Sequence, residues 1–282
     1  MPYAVTPTEG LLDPVYQFEG DANVWSDWRK TAMLVKHLTW RHLAARYRGS
    51  ALGFVWSLLN PMLLMGVYTF VFSFIFRATA PGVPYPVFFL TGLLAWNFVS
   101  IASMNAAVSL VDGATLIKKT AFPRLALPVS AVLSNAVNYL MTLPLLITFN
   151  MLFGIAPTLS LLLLPCALLL LLLVAIGVGL LLAALMPFFR DLQHLIDVLF
   201  TMWFFLTPVI YPMSLVKQNL PEALLPVYEL NPMVGTVHLV HTVFLGQPFP
   251  GMSLAIAIGG GLCLLSLGLW VFQRLAMHVS EI

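Results

Sequence analysis

The sequence predicts an all-α integral membrane protein: six transmembrane helices, an N-terminal amphipathic interfacial helix, and two short re-entrant outer helices between spans five and six. Hydrophobic residues make up 60% of the 282 and charged ones 9%, where a soluble domain carries about 25% charged residues; mean hydropathy is +0.95. Apolar runs of crossing length recur along the chain, and the basic residues gather in alternate loops. The chain divides accordingly into a cytoplasmic segment at 1–24, an interface helix at 25–48 and a six-span membrane domain at 49–282. A net charge of +2 gives no reason to expect a nucleic-acid partner.

Residues 1–24 hold Glu9, Asp13, Glu19 and Asp21 but no Lys, Arg or long apolar run. That is the reverse of a secretory signal, so this end is expected to stay in the cytoplasm uncleaved. Over 25–48, at about 100° per residue, Trp25, Trp28, Ala32, Val35 and Leu43 share one face and Lys30, His37, Arg41 and Arg48 the opposite one, as a helix lying on membrane lipid requires. Leu34 and Leu38 point away from the apolar face, and Lys36 and Arg46 would have to snorkel, so part of this helix is expected to pack on protein.

A hydrocarbon core about 30 Å thick takes about 20 apolar residues, and six runs qualify: 53–76, 87–111, 125–153, 159–186, 195–213 and 251–272. The fourth holds about 15 leucines, worth on the order of −5 kcal/mol for insertion. Of the 13 Lys and Arg residues, only Arg77 and Lys217 fall in loops on the outer side of this arrangement. The rest fall inside, which puts both termini in the cytoplasm. Between spans five and six, Pro221, Pro226, Pro232, Pro248 and Pro250 punctuate the chain, and the apolar stretch from Asn231 to Gly246 is too short to cross. A pair of short helices dipping into the outer leaflet fits, and irregular backbone at that depth must be covered by protein or line a water-filled cavity. An ordinary external loop with one surface helix is the plainer alternative.

Catalytic constellations are scarce. No G-x-x-x-x-G-K-[ST] loop occurs, and the cluster Gly259 to Gly261 lies within span six, so any nucleotide must be bound by another polypeptide. Cys166 and Cys263 sit in apolar runs and read as small packing residues. His238 and His241 have a metal-compatible spacing but no Cys or carboxylate pair to complete a site; hydrogen bonds to backbone or water at the outer interface suit them better. Asp197 is the one carboxylate within a span. Its place near the cytoplasmic end allows hydration or pairing with Arg190, as against a proton relay.

Aromatic residues form a fuller pattern. Tyr68, Phe72 and Phe76 recur at i, i+4, i+8 in span one, and Phe200, Phe204 and Tyr211 at i, i+4, i+11 in span five, with Trp203 and Phe205 alongside. Flat rings can slide along the C–H faces of sugars, although lipid contact and helix packing use the same rings. Ser134, Asn135, Asn138 and Thr142 make a polar stripe in span three that suits sugar hydroxyls or helix-to-helix hydrogen bonds equally. Ala175, Gly179, Ala183 and Ser253, Ala257, Gly261 have the spacing of close helix contacts. The cytoplasmic loop from Asp112 to Arg124 is basic with an apolar tooth at Phe122 and a stiff exit at Pro123, a shape suited to a cleft on a cytoplasmic partner.

Five segments, in this order, carry a family resemblance: Arg46-Tyr-Arg-Gly-Ser-Ala-Leu-Gly-Phe-Val-Trp-Ser-Leu-Leu-Asn-Pro61, Leu116-Ile-Lys-Lys-Thr-Ala-Phe-Pro-Arg124, Phe189-Arg-Asp-Leu192, Trp203-Phe-Phe-Leu-Thr-Pro-Val-Ile-Tyr-Pro212 and Asn231-Pro-Met233. From about Lys36 to its C-terminus the chain resembles the ABC type 2 permeases that export O-antigen, teichoic acid and capsular polysaccharide. The resemblance implies a non-enzymatic permease of the bacterial inner membrane, paired with a second copy of itself and with two cytoplasmic ATPase subunits that carry ATP and Mg. It further implies that Ile117, Lys118, Lys119, Thr120, Ala121, Phe122, Pro123 and Arg124 form the coupling helix. Tyr68, Phe72, Phe76, Phe200, Trp203, Phe204 and Tyr211 become candidates for an aromatic channel between protomers that takes a lipid-linked glycan. Family members often place Arg after the Asn-Pro segment, where this chain reads Val240-His241-Thr242. Two other readings compete: an ABC exporter of a small hydrophobic compound, and a membrane-embedded glycosyl- or phosphotransferase, which needs clustered carboxylates or histidines that the sequence does not offer.

Overall fold

The structure is a computed structural model in which residues 28–47, 55–75, 82–114, 123–189 and 191–275 are described. Every extended regular element among them is helical. In chain order these are α1 (Trp28–Tyr47), α2 (Val55–Thr69), α3 (Tyr85–Asp112), α4 (Ala126–Leu152), α5 (Leu164–Leu185), α6 (Leu192–Phe205), α7 (Met213–Asn219), α8 (Leu225–Glu229), α9 (Pro232–Leu245) and α10 (Gly251–Leu275). A π-helical stretch, Phe70–Ile75, continues α2, and a 3-10 stretch, Leu159–Leu163, leads into α5.

Among the described residues four helices are long and apolar enough to cross a membrane: α3, α4, α5 with its lead-in, and α10. They match the second, third, fourth and sixth apolar runs. Helix α3 is the hub, packing on α2, α4, α5 and α9 with its side chains buried almost all round, the pattern of a helix inside a bundle. The closest pairing is α5 on α10. There Gly177 faces the backbone of α10 so tightly that a Cβ would stand 2.7 Å from the Leu265 nitrogen, and Gly268 meets the Gly177 carbonyl. Without a hydrophobic drive between helices in lipid, such backbone proximity supplies the dispersion energy that holds them. Gly179 opposes Ala106 of α3 and Gly261 opposes Leu173, so the small-residue spacings mark real contacts. Cys166 and Cys263, expected to pack, are instead exposed on the outward sides of α5 and α10.

Among the described residues the first run keeps its expected extent and the fifth falls short of it. Helix α2 and its π continuation run unbroken from Val55 to Ile75, about 30 Å at 1.5 Å per residue. Helix α6, expected through residue 213, ends at Phe205. Pro208 lacks an N–H and biases Thr207 away from helical dihedrals. The chain beyond it forms turns tied back to α3 by Tyr85, whose hydroxyl donates to the Ile210 carbonyl at 2.9 Å.

Helix α1 packs along α4 through Leu34 and Leu38, expected to meet protein, together with Val35 and Leu43 of the face expected to meet lipid. Leu38 and Leu43 are buried and Leu34, Val35, Thr39 and His42 half-buried, whereas Ala32 is exposed along with Met33 and Trp40. Trp25 and Arg48 lie outside the described residues; Trp28 and Lys30 fall in the first turn of α1.

The segment between α6 and α10 holds three short helices. Helices α7 and α8 have no buried residue, but all of the 14 residues of α9 except Pro232 and His238 are buried, packed among α3, α5 and α10. Asn231 caps its start by accepting from the Met233 amide, and Gly246, at φ 65°, ends it in the left-handed region. An exposed surface helix is therefore not what the Asn231–Gly246 stretch forms.

Candidate functional site

Helices α2, α3 and α6 enclose an open groove of about 500 Å³. Each wall is one helix face. Leu93, Trp96, Asn97, Ser100, Ile101 and Met104 project from α3 at alternating steps of three and one, as do Asp197, Phe200, Thr201, Phe204 and Phe205 from α6, while α2 adds Leu64 and Tyr68. The rings form two contact clusters. Tyr68 stacks on Phe89 with centroids 4.6 Å apart and lies parallel to Phe72 at 6.0 Å; Phe72 and Phe89 each stack on Tyr85. On the other wall Trp96 meets Phe200 edge-on at 6.3 Å, Trp203 at 5.5 Å and Phe204 at 5.6 Å. Such contacts add about 0.5–1.5 kcal/mol per pair and fix the ring planes.

Of the seven candidate channel rings, Tyr68, Phe200 and Phe204 line the groove. Trp203 lies behind it, its indole N–H donating to Asn231 Oδ1 at 2.8 Å. Phe72 is packed against the core and stacked on Tyr85. Tyr211 stands away from the groove, beyond the end of α6, where its hydroxyl donates to the Phe205 carbonyl at 2.6 Å and lies 3.4 Å from that of Tyr228. Phe76 falls outside the described residues.

Two contributors went unread in the sequence. Trp96, with Asn97 and Ser100, forms the back wall; Tyr85, Phe89 and Trp96 repeat the i, i+4, i+11 spacing already noted in span five. The other is Asn231, whose side-chain oxygen accepts from both Trp203 and the Met233 amide while its nitrogen donates to the Leu206 carbonyl at 3.1 Å and Thr207 Oγ1 at 3.2 Å. It thereby clamps the end of α6 to the start of α9.

The polar stripe of α4 serves helix contacts. Asn135 Oδ1 accepts from Arg46 at 2.8 Å and from Asn105 at 3.4 Å, and Ser134 and Thr142 donate to carbonyls of their own helix. Arg41, His42 and Arg46 of α1 line a second, smaller pocket of about 250 Å³ with Asp112 and Ser134. Burial, then the Arg41 and Arg46 charges, lowers the pKa of His42, with Asp112 opposing. Of the expected coupling segment, Ile117 to Phe122 lie outside the described residues. Pro123 is buried and Arg124 half-buried at the turn into α4, where the Pro123 carbonyl accepts from the Ala126 amide.

His241 is buried and meets a backbone group, as expected of it. Its Nε2 lies 3.2 Å from the Phe88 carbonyl, and Gly92 leaves the room it occupies. Among the described residues no three His, Cys, Asp or Glu side chains come close enough to hold a metal.

A family profile described as ABC-2 type transporter matches residues 33–245. The chain is 37% identical over 248 residues to the O-antigen export system permease protein RfbA of Myxococcus xanthus, covering 88% of this chain and 89% of that one. It is 29% identical over 246 residues to a protein of the same name from Klebsiella pneumoniae (87% and 93% covered) and 23% identical over 248 residues to the polysialic acid transport protein KpsM of Escherichia coli (85% and 92% covered). With four apolar helices of crossing length, a groove walled by rings and a match across most of its length, this chain belongs to the ABC-2 type transporter family of multi-pass membrane permeases.

Proposed function

We propose that the chain is the membrane-spanning half of an ATP-driven exporter that moves a lipid-linked polysaccharide across the bacterial inner membrane. The observation that carries the reading is the groove between α2, α3 and α6, whose rings offer broad apolar faces without a closed pocket around any one unit. A polymer in transit needs that combination, because each sugar must stack and then leave. The relatives, named for O-antigen export and polysialic acid transport, favour the same cargo class over a small hydrophobic compound or a transferase reaction.

In this reading α2 with its π end and α6 with its turn complete six crossings, both termini are cytoplasmic, and α7 to α9 return on the outer side. Two copies meet through the apolar outward faces of α2 and α6, where Leu63, Val67, Val198 and Met202 are exposed. Two cytoplasmic ATPase subunits supply ATP and Mg. Their closure pushes the loop Ile117 to Arg124, which acts on α4 and separates the two copies along the groove. Deleting the gene is expected to remove polysaccharide from the cell surface and leave its lipid-linked form inside. Drug sensitivity with surface glycan intact would overturn the proposal.

A further inference from the structure

We infer that the pocket between α1, α3 and α4 holds the headgroup of a zwitterionic phospholipid, a phosphoethanolamine, with its phosphate on α1 and its ammonium at the end of α3. The pocket, of about 250 Å³, is separate from the ring-walled groove and is lined by charges of both signs. Those charges are sorted by wall: Arg41 and Arg46 project from α1, whereas Asp112 ends α3. Arg46 spends one N–H on Asn135 Oδ1 at 2.8 Å, but a guanidinium carries about five in a planar fork that matches phosphate oxygens. His42 lines the same wall, and its Nε2 is buried without a hydrogen-bond partner among the described residues. Leaving such a nitrogen unmet is costly. Burial, then the Arg41 and Arg46 charges, holds the ring below its usual pKa, so the neutral imidazole can place its one proton on Nε2 and donate it to the same phosphate.

The walls from α3 and α4 offer acceptors instead. Ser109, one turn before Asp112, donates its proton to the Ala106 carbonyl at 2.7 Å, and Ser134 of α4 donates to the Ala131 carbonyl at 2.8 Å. Both hydroxyls keep lone pairs for the N–H groups of an ammonium. Asn105 of α3 directs its Nδ2 to Asn135 at 3.4 Å. Gly113, which also lines the pocket, caps α3, and the negative end of the helix dipole there favours a cation. A purely anionic headgroup would satisfy the arginines and meet Asp112 as a like charge; phosphoethanolamine answers both walls. A bilayer is the source that the surroundings favour. Trp40, next to Arg41, and Val111, next to Asp112, are exposed. Exposed indoles settle at headgroup level, and basic pockets between helices at that level take lipid headgroups. One bound lipid would then bridge α1 to the end of α3, where the chain leaves for the loop before α4.

The test uses the permease bound to its own ATPase subunits, stripped of lipid in detergent, and native mass spectrometry with phosphatidylethanolamine, phosphatidylglycerol or free phosphoethanolamine added at equal concentration. Arg41→Gln marks the site: Arg41 is exposed, so the complex is expected to elute intact, and the lipid binding it loses belongs to this pocket. There phosphatidylethanolamine is expected to bind about fivefold tighter than phosphatidylglycerol, the upper range for an exposed ion pair. Asp112, exposed as well, supplies the difference, so Asp112→Asn should bring the two lipids level without weakening phosphatidylglycerol. No binding lost in Arg41→Gln, phosphatidylglycerol held as tightly or tighter at that site, or a preference unchanged in Asp112→Asn overturns the inference. Displacement of the lipid by free phosphoethanolamine at equal concentration overturns its lipid source and gives the pocket to a soluble ligand.

Discussion

At the scale of single residues, Asn231 shows how much one amide can organise. It satisfies the Trp203 indole, the Met233 amide, the Leu206 carbonyl and the Thr207 hydroxyl at once. Asn231→Ala is expected to cost about 1–3 kcal/mol by leaving partly buried donors unmet, read as a lowered unfolding temperature in detergent. Asn231→Asp keeps the two accepted bonds and should fall between. His42 gives a pH signature. Its folded pKa is lowered, so the unfolded chain, titrating near about 6.5, takes up the proton first as pH falls. The packing of α1 on α4 should be unchanged above that pH, weaken below it, and stop weakening once pH is under the lowered folded value. Hydrogen exchange of α1 at about pH 7.5 and 5 checks this, and His42→Gln should remove the dependence. Ring spacing made Tyr68, Phe200 and Phe204 legible in the sequence. It did not separate them from Phe72 and Trp203, because periodicity names a helix face and not what the face meets.

Elements follow hydropathy where they are long. The runs behind α3, α4, α5 and α10 matched their helices because 20 or so apolar residues admit few other states in lipid. Short ones split. Helix α6 stops before Pro208, so a proline and not a membrane ends it and composition alone misjudged its length, whereas the stretch behind α9, too short to cross, forms a helix of 14 residues as expected. In helix α1 the off-face leucines Leu34 and Leu38 marked the protein contact, but spacing did not show that Val35 and Leu43 share it. Pairing of α5 with α10 depends on glycine at the crossing. Gly177→Val puts a branched side chain against the α10 backbone and should cost more than the ~1–3 kcal/mol of ordinary overpacking. Much reduced recovery of folded protein from membranes is the expected result, whereas valine at Gly259, which has open space around it, should be tolerated.

For the whole molecule, the expected arrangement fixes which loops face the cytosol. With Cys166 and Cys263 replaced, a cysteine at Thr120 should react with an impermeant thiol reagent only from the cytoplasmic side, and one at Gln218 only from the outside; the reverse pattern would sink the proposed coupling. Phe122→Asp is expected to abolish export and weaken ATPase association while leaving insertion intact, measured by surface glycan and co-purification. The burial of α9 also has a bearing on how the chain is made. Helix α9 leaves the ribosome before α10, yet Gly235 of α9 lies against Ser253 and Ala257 of α10, so during synthesis this flank stays bare until the last helix arrives. A product ending before Gly251 would keep that flank bare for good, and should be cleared by membrane quality-control proteases even though most of the groove had already been translated.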